Sequence, residues 1–444
     1  MGLMDLAARD LAAAIRRGDA SPEAAANEAV ARAEARNPAL NAICLMNPRL
    51  MEEARAVTER LTAGERLPLA GVPVVIKDNI WVKGLRITQG SRLFQDHIAP
   101  EDATAVARLR AAGALILGIT TCSEFACKGA TSTPLYGITR NPVDPSRTPG
   151  GSSGGSVAAV AAGIVPLALG TDAGGSSRRP PAHTGLCGLK PSQDAIPYGP
   201  GFDEPVWGIS TICPIARDMG DIALAMTVLA GVSPGRAAPS VAVSADFGTG
   251  QVLDGPVADR FETVCARLQK GGVATHAATI EWPGGVRGHH VLPLQYAGLA
   301  HLFGDIWREC PEIFDPALAR QIETGLALSG TEVAAAHQVS HRMRVALRAA
   351  LDRHGVIATP TTPCAAWSAE EDAPAEIGGL PAGPRDHAAF TPQANHAGVP
   401  ALSLPCGTTA GGLPLGLQLI APAGRDADLI ALGLRLEPLL REIP

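Results

Sequence analysis

Three stretches of the chain carry reactive side chains in settings where they could do chemistry. Lys77 ends the run Val72-Pro73-Val74-Val75-Ile76-Lys77, short, apolar and rich in β-branched residues, which predicts a buried strand. Burial disfavours the ammonium and lowers its pKa, which turns a lysine into a usable base near neutral pH. The ordinary alternative is a strand-end lysine whose head reaches water or pairs with Asp78. The second stretch, Gly150-Gly151-Ser152-Ser153-Gly154-Gly155, holds two hydroxyls between glycine pairs, where a ligand can approach the backbone closely. The third, Thr171-Asp172-Ala173-Gly174-Gly175-Ser176-Ser177-Arg178, sets small residues before a serine, so consecutive N–H groups could converge on an oxyanion. Taken singly, each has a plain structural explanation: Ser153 or Ser156 as a helix N-cap, and an ordinary strand-to-loop turn. Taken together, they match the needs of a nucleophilic serine. A lysine can accept its proton without histidine, and a second serine can relay that proton when the lysine lies too far away.

The elements that must position these groups alternate between helix and strand for most of the chain, which predicts an α/β sheet. Ser21-Pro22 opens a helix that is expected to end near Asn37-Pro38, and Asn47-Pro48 opens another that runs to about Gly64. A strand over 72–78 is followed by an amphipathic helix over 102–113 and a strand over 114–119. The turn-rich stretch 141–155 leads into an Ala-rich helix over 156–163, a strand over 165–169 and a second glycine turn over 170–177. From about 235 to 355 one strand-like piece, 240–244, is followed by mostly helical patterns, including 331–354. A strand over 356–360 precedes an exposed acidic and Pro-rich loop over 368–384, two further strands over 401–404 and 413–420, and a terminal helix over 426–442. One domain over 1–444 is the expectation, with a catalytic core at 65–235 and a more helical region at 235–385 that tunes substrate choice.

Composition narrows the function classes. The chain has 444 residues, 46% of them hydrophobic, and its 37 basic against 43 acidic residues give a net charge of −6. No basic run suggests a phosphate-backbone track, so nucleic acid is not expected as a partner. The N-terminus lacks a signal-peptide pattern, and the longest apolar run, from Val157 to Gly170, is interrupted by Pro166 and too short for a bilayer. A cytoplasmic protein without membrane contact is expected. The nine cysteines show no C-x-x-C spacing and read as reduced thiols. Cys122 and Cys127 bracket Glu124, but no histidine lies nearby to complete a metal site.

The segments GVPVVIKDNI, TPGGSSGGSVAAVAAG and LALGTDAGGSSRRPPAHTGLCGLKPS closely resemble the amidase signature family. The resemblance extends to EDATAVARLRAAGALILGITTCSEFA, ANHAGVPALSLPCG and LPLGLQLIAP, and is weakest between about 235 and 385. It implies a mixed, twisted sheet covered by helices on both faces. It implies Ser176 as nucleophile, Ser152 as a bridging serine held by a cis peptide bond, and Lys77 as the terminal base. It also implies an oxyanion hole from the backbone of Ala173, Gly174, Gly175 and Ser176, with Ser153, Asp172 and Arg178 in support, and no metal or organic cofactor. The expected reaction is hydrolysis of a small aryl or aliphatic amide or a carbamate through an acyl-enzyme. A small molecule is the only partner expected, and a homodimer is compatible with the chain. The departures are Ser177, where the family usually has a β-branched apolar residue, and Pro180-Pro181-Ala182-His183.

Three alternatives compete. Gly151-Ser152-Ser153-Gly154-Gly155 satisfies G-x-S-x-G with Ser153 as nucleophile and His183, His387 or His396 as base, but the residues before it cannot form the required buried strand. A phosphate binder would need glycine patterns that are absent. The glutaminase component of a tRNA-dependent amidotransferase would use the same three residues; Ser177 to His183 and the segment 198–212 favour a stand-alone amidase over it. Trp81, Phe125, Tyr136, Trp207 and Phe390 are candidate pocket walls.

Overall fold

Short β-branched runs join into one 11-stranded sheet. The computed structural model describes residues 2–206, 208–285 and 288–442. Across the sheet the strands run Ile43–Met46, Leu115–Thr120, Pro73–Lys77, Leu167–Asp172, Thr211–Ala216, Cys187–Lys190, Ala401–Thr408, Pro414–Ile420, Ile357–Pro360, Ser240–Val243 and Ala274–Ala277. The pairing is mixed: Pro73–Lys77 is parallel to both neighbours, whereas Leu167–Asp172 is antiparallel to Thr211–Ala216. Three central strands are buried at every position, which requires cover on both faces. Helices supply it, and the whole is a single α/β domain.

Parallel pairing decides where chemistry can sit. Lys77 lies opposite Thr120 and Ile76 opposite Leu169, so three strands end at the same edge of the sheet with Lys77, Thr120 and Asp172 at their carboxyl ends. Such a crevice is the usual ligand site of an open α/β sheet. The Ala-rich helix, Gly154–Ala161, is buried along nearly its whole length and packs beneath that edge.

The structure departs from the sequence expectations in the strands Ile43–Met46, Cys187–Lys190, Thr211–Ala216 and Ala274–Ala277, which were not foreseen, and in the following details. The first long helix, Pro22–Leu40, runs through Pro38, which forgoes one i→i−4 bond, and ends on left-handed Asn41, whose N–H donates to the Asn37 carbonyl. The strand expected to end at Leu169 continues to Asp172, drawn out by antiparallel pairing with Thr211. Ser153 stands at the N-cap of the Ala-rich helix, yet its side chain makes no cap bond. The acidic loop 368–384 contains a two-residue hairpin, Glu376–Ile377 with Leu380–Pro381, turned by Gly378 and Gly379, both at positive φ. The middle region is helical as expected, with Leu292–Glu309, Pro316–Ala327 and Gly330–His354, the last opened by a Ser329/Glu332 capping box. No helix among the described residues is long and apolar enough to cross a membrane.

Ile76 is fully buried on the strand that delivers Lys77. Ile76→Ala should destabilise the fold by about 2–5 kcal/mol, read as a lower urea midpoint at unchanged slope.

Candidate active site

Lys77 is fully buried, and its Nζ donates to Ser152 Oγ at 2.6 Å and to Thr171 Oγ1 at 2.8 Å. Among the described ion pairs none involves Lys77. Burial is the dominant influence on this amine and pulls its pKa down to about 8, with neighbouring groups offsetting it only in part. Once the amine is neutral, the same contact can run in reverse, with the Ser152 hydroxyl donating to the Nζ lone pair. Asn79 Nδ2 donates to Thr171 Oγ1 at 3.0 Å and holds that hydroxyl in place.

The Gly151–Ser152 peptide bond is cis. A Cβ on Gly151 would stand 2.8 Å from the Ala130 carbonyl carbon, so only glycine fits there. Ser153 Oγ donates to the Thr171 carbonyl at 3.2 Å, and Ser156 Oγ to the Leu169 carbonyl at 3.1 Å. Both hydroxyls bond carbonyls of the one strand Leu167–Asp172, so Ser153 does not cap the helix, and Ser156 lies inside it.

Ser176 stands across the crevice, 6% exposed. Ser152 and Ser176 line one small cavity together with Thr171 and Ala173, and Ser176 also opens onto a larger cleft. The turn that carries it is clamped by Asp172. Asp172 accepts from Arg178 Nη2 at 2.9 Å and Arg178 Nε at 3.0 Å, both residues being fully buried. Arg178 also donates to Gln418, Asn395 and the Thr391 carbonyl. Burial alone would raise the Asp172 carboxyl, but Arg178 overrides it and holds it well below the usual carboxylate range. Ser177 takes part in this clamp: its N–H donates to Asp172 Oδ2 at 3.1 Å and its Oγ to the Thr171 carbonyl at 3.1 Å. An apolar residue there could not make the second bond.

One expected oxyanion donor is corrected by this geometry. The Gly175 N–H donates to Asp172 Oδ1 at 2.6 Å and is engaged in holding the turn. The candidate donors are then the amides of Ala173, Gly174 and Ser176. Gly175 itself has φ +112°, and a Cβ there would lie 2.2 Å from Thr391 Oγ1.

The histidine alternative finds no support. His183 is buried, its two ring nitrogens have no hydrogen-bond partner, and burial, then Arg179, lowers its pKa to about 3. His396 pairs with Ser340 Oγ at 2.8 Å, and burial takes its pKa to about 4. His387 is likewise held well below its ordinary value by burial, with Arg179 and Arg385 adding to the effect. None of the described contacts of Ser153 is to an imidazole. Among the described residues no group of three or more His, Cys, Asp or Glu could hold a metal ion.

Of the candidate pocket walls, Phe125 lines the small cavity. Trp81 packs on His97 and Phe202, Tyr136 Oη lies beside Thr88 Oγ1, and Phe390 is wholly buried. Trp207 lies outside the described residues. Sequence reasoning missed Thr171 and Asn79 as partners of the lysine, and Arg179, Gln295, Arg385 and Glu204 as lining groups. Burial raises the Glu204 carboxyl to about 7. Nothing in their local sequence marks these residues, since each acts through partners distant in the chain.

The Asp172–Arg178 clamp generates a stability prediction. Asp172→Asn leaves a buried guanidinium without its counter-charge and should cost about 3–5 kcal/mol in denaturant unfolding. A loss below about 1 kcal/mol would show that the clamp does not hold the turn.

Comparison with known proteins places this geometry. The family model described as Amidase matches residues 24–273 and 299–430. The chain is 35% identical to a glutamyl-tRNA(Gln) amidotransferase subunit from Deinococcus deserti, over 96% of this chain and 95% of that protein. Among solved structures, one described as an amidase superposes with a TM-score of 0.90 at 31% identity, covering 98% of this chain and 100% of that one. A bacterial aryl acylamidase of the amidase signature family does so at 0.89 and 25% identity, covering 98% and 96%. These relatives correct one expectation. A chain whose only partner is a small molecule, with no tie to nucleic acid, conflicts with curated relatives whose names make them one component of a Glu-tRNA(Gln) amidotransferase. With the Amidase model spanning most of its length and the site built at the shared sheet edge, the chain belongs to the amidase signature family of hydrolases that act on carbon–nitrogen bonds.

Proposed function

We propose that this chain hydrolyses a small primary carboxamide, with the side-chain amide of glutamine as the leading candidate, and releases ammonia as one component of a larger assembly. The observation that carries the chemistry is the 2.6 Å contact between buried Lys77 and Ser152 beneath the Ser176 turn. The choice of glutamine and of an assembly is supported by the names of the curated relatives, which are 35% and 34% identical to this chain over nearly its full length.

In this reading neutral Lys77 takes the Ser152 proton while Ser152 takes that of Ser176. Ser176 Oγ forms a bond to the carbonyl carbon, and the carbonyl oxygen gathers negative charge at the amides of Ala173, Gly174 and Ser176. As the C–N bond breaks, the proton returns from Lys77 through Ser152 to the leaving nitrogen. Water then attacks the acyl-Ser176 ester by the same relay and frees the acid. Thr171 and Asn79 orient the lysine, and Ser153, Asp172 and Arg178 fix the two loops. The region 235–385 shapes substrate choice, since Thr249, Gln251, His289, Leu292 and Gln295 all line the cleft.

An aryl or aliphatic amide, or a carbamate, is the second reading of the substrate. It is favoured by the apolar part of the cleft wall, with Val206, Leu292, Ala389 and Pro392, and by the likeness to an aryl acylamidase.

Two measurements test the proposal. Ammonia release from glutamine, measured with and without candidate partner proteins, should appear in wild type and vanish in Ser176→Ala; full activity in that variant removes the nucleophile assignment. If aryl amides or carbamates turn over while glutamine does not under either condition, the second reading replaces the first. The pH profile tests the base. Lys77 must be neutral to act, so kcat/KM should rise with an apparent pKa near about 8 and fall roughly ten-fold per pH unit below it. A rate independent of pH between 6 and 9 would count against Lys77, the range being on the order of one unit or more either side of that value.

A further inference from the structure

Arg178 and Arg179 are adjacent in the chain and both are buried, yet their surroundings differ. Arg178 is saturated by Asp172, Gln418, Asn395 and the Thr391 carbonyl. Arg179 is 2% exposed, and its Nε and Nη1 have no hydrogen-bond partner. A guanidinium stays charged in proteins, and a buried charge is normally paired. None of the described ion pairs supplies a carboxylate to Arg179. Arg179 lies behind the Ser176 turn, where its Nε stands 2.7 Å from the place a Gly175 Cβ would occupy, and it lines the same cleft as Ser176.

A second guanidinium lines that cleft. Arg385 donates one bond from Nη2 to the Cys127 carbonyl at 2.8 Å and is close enough to Arg179 for the two charges to repel. The single carboxylate among the described lining residues, Asp386, turns Oδ2 to the Gly383 N–H at 2.8 Å. His387 and His183, packed nearby, are held uncharged by burial. Two guanidinium groups therefore face one cavity that also holds Ser176, and none of the described ion pairs joins either of them to Asp386 or to another carboxylate, an arrangement complementary to a carboxylate with its two oxygens.

We propose that Arg179 and Arg385 form an anion-binding subsite that selects amides bearing a carboxylate. This rests on Ser176 as the attacking atom and does not require the substrate to be glutamine. The planar fork of Arg179 takes the carboxylate from beneath, and Arg385, less buried, closes on it from the cleft wall.

The test compares two amides of matched length, succinamate with a carboxylate and butyramide without, alongside glutamine. Wild type should favour succinamate, and Arg179→Gln should reduce the succinamate-to-butyramide ratio of kcat/KM by about 100-fold, chiefly through KM on succinamate. Arg385→Gln, at a more exposed position, should lower the same ratio by a smaller factor and guards against misfolding of the first variant. Independently, calorimetry with glutarate should detect binding to wild type and its loss in either variant. Wild-type indifference to the carboxylate, equal losses on both amides, or no glutarate binding overturns the subsite. If glutamine is inert while the preference for succinamate and its loss in the variants hold, the glutamine reading falls and the subsite stands.

Discussion

An amine buried without a counter-charge is the constraint on which the rest of this structure depends. Lys77 is the last residue of a strand with no exposed position, and the groups within hydrogen-bond reach of its Nζ are hydroxyls. A carboxylate in contact would have held the ammonium charged, and solvent would have done the same. Burial against Ser152 and Thr171 instead leaves the amine able to lose its proton near neutral pH. Gly151 packed against Ala130 and Asn79 on Thr171 both serve that one environment.

The second loop shows the opposite solution to a buried charge. Asp172 and Arg178 neutralise each other and are surrounded by amide and carbonyl partners from segments more than 200 residues away in the chain. Their pair fixes the Ser176 turn rigidly, down to engaging the Gly175 amide. Arg179, one residue further on, has the same burial and none of the compensation. Unpaired polar atoms are rare in protein interiors, so one that lines a cleft points to a ligand rather than to the core.

Membership of the amidase signature family settles the type of bond that is cleaved and leaves substrate choice to the cleft. The curated relatives are components of an amidotransferase, whereas a solved relative is an aryl acylamidase. The cleft has features for both: apolar residues on one part of its wall and two guanidinium groups on another. Much of that wall comes from helices and loops between 235 and 385, the part of the chain where sequence resemblance is weakest.

What the sequence alone determined is local. The β-branched run ending in Lys77 specified a buried strand, and paired glycines around Ser152 and ahead of Ser176 specified tight loops, because these depend on backbone sterics and short-range burial. Residues matching a family pattern in order were therefore legible, and so was the alternation that makes an α/β sheet. Tertiary structure decided which hydroxyls face the lysine, because Thr171 reaches it only through the parallel register of two strands. It decided that Ser153 and Ser156 bond carbonyls of the strand Leu167–Asp172 and do not cap the helix, and that Gly175 holds a turn. The family resemblance marked Arg178, but only tertiary structure showed that its neighbour Arg179 is buried without a partner. Identical side chains side by side have the same local sequence, and only the groups that folding brings from distant segments determine which charge is neutralised and which is left facing the cleft.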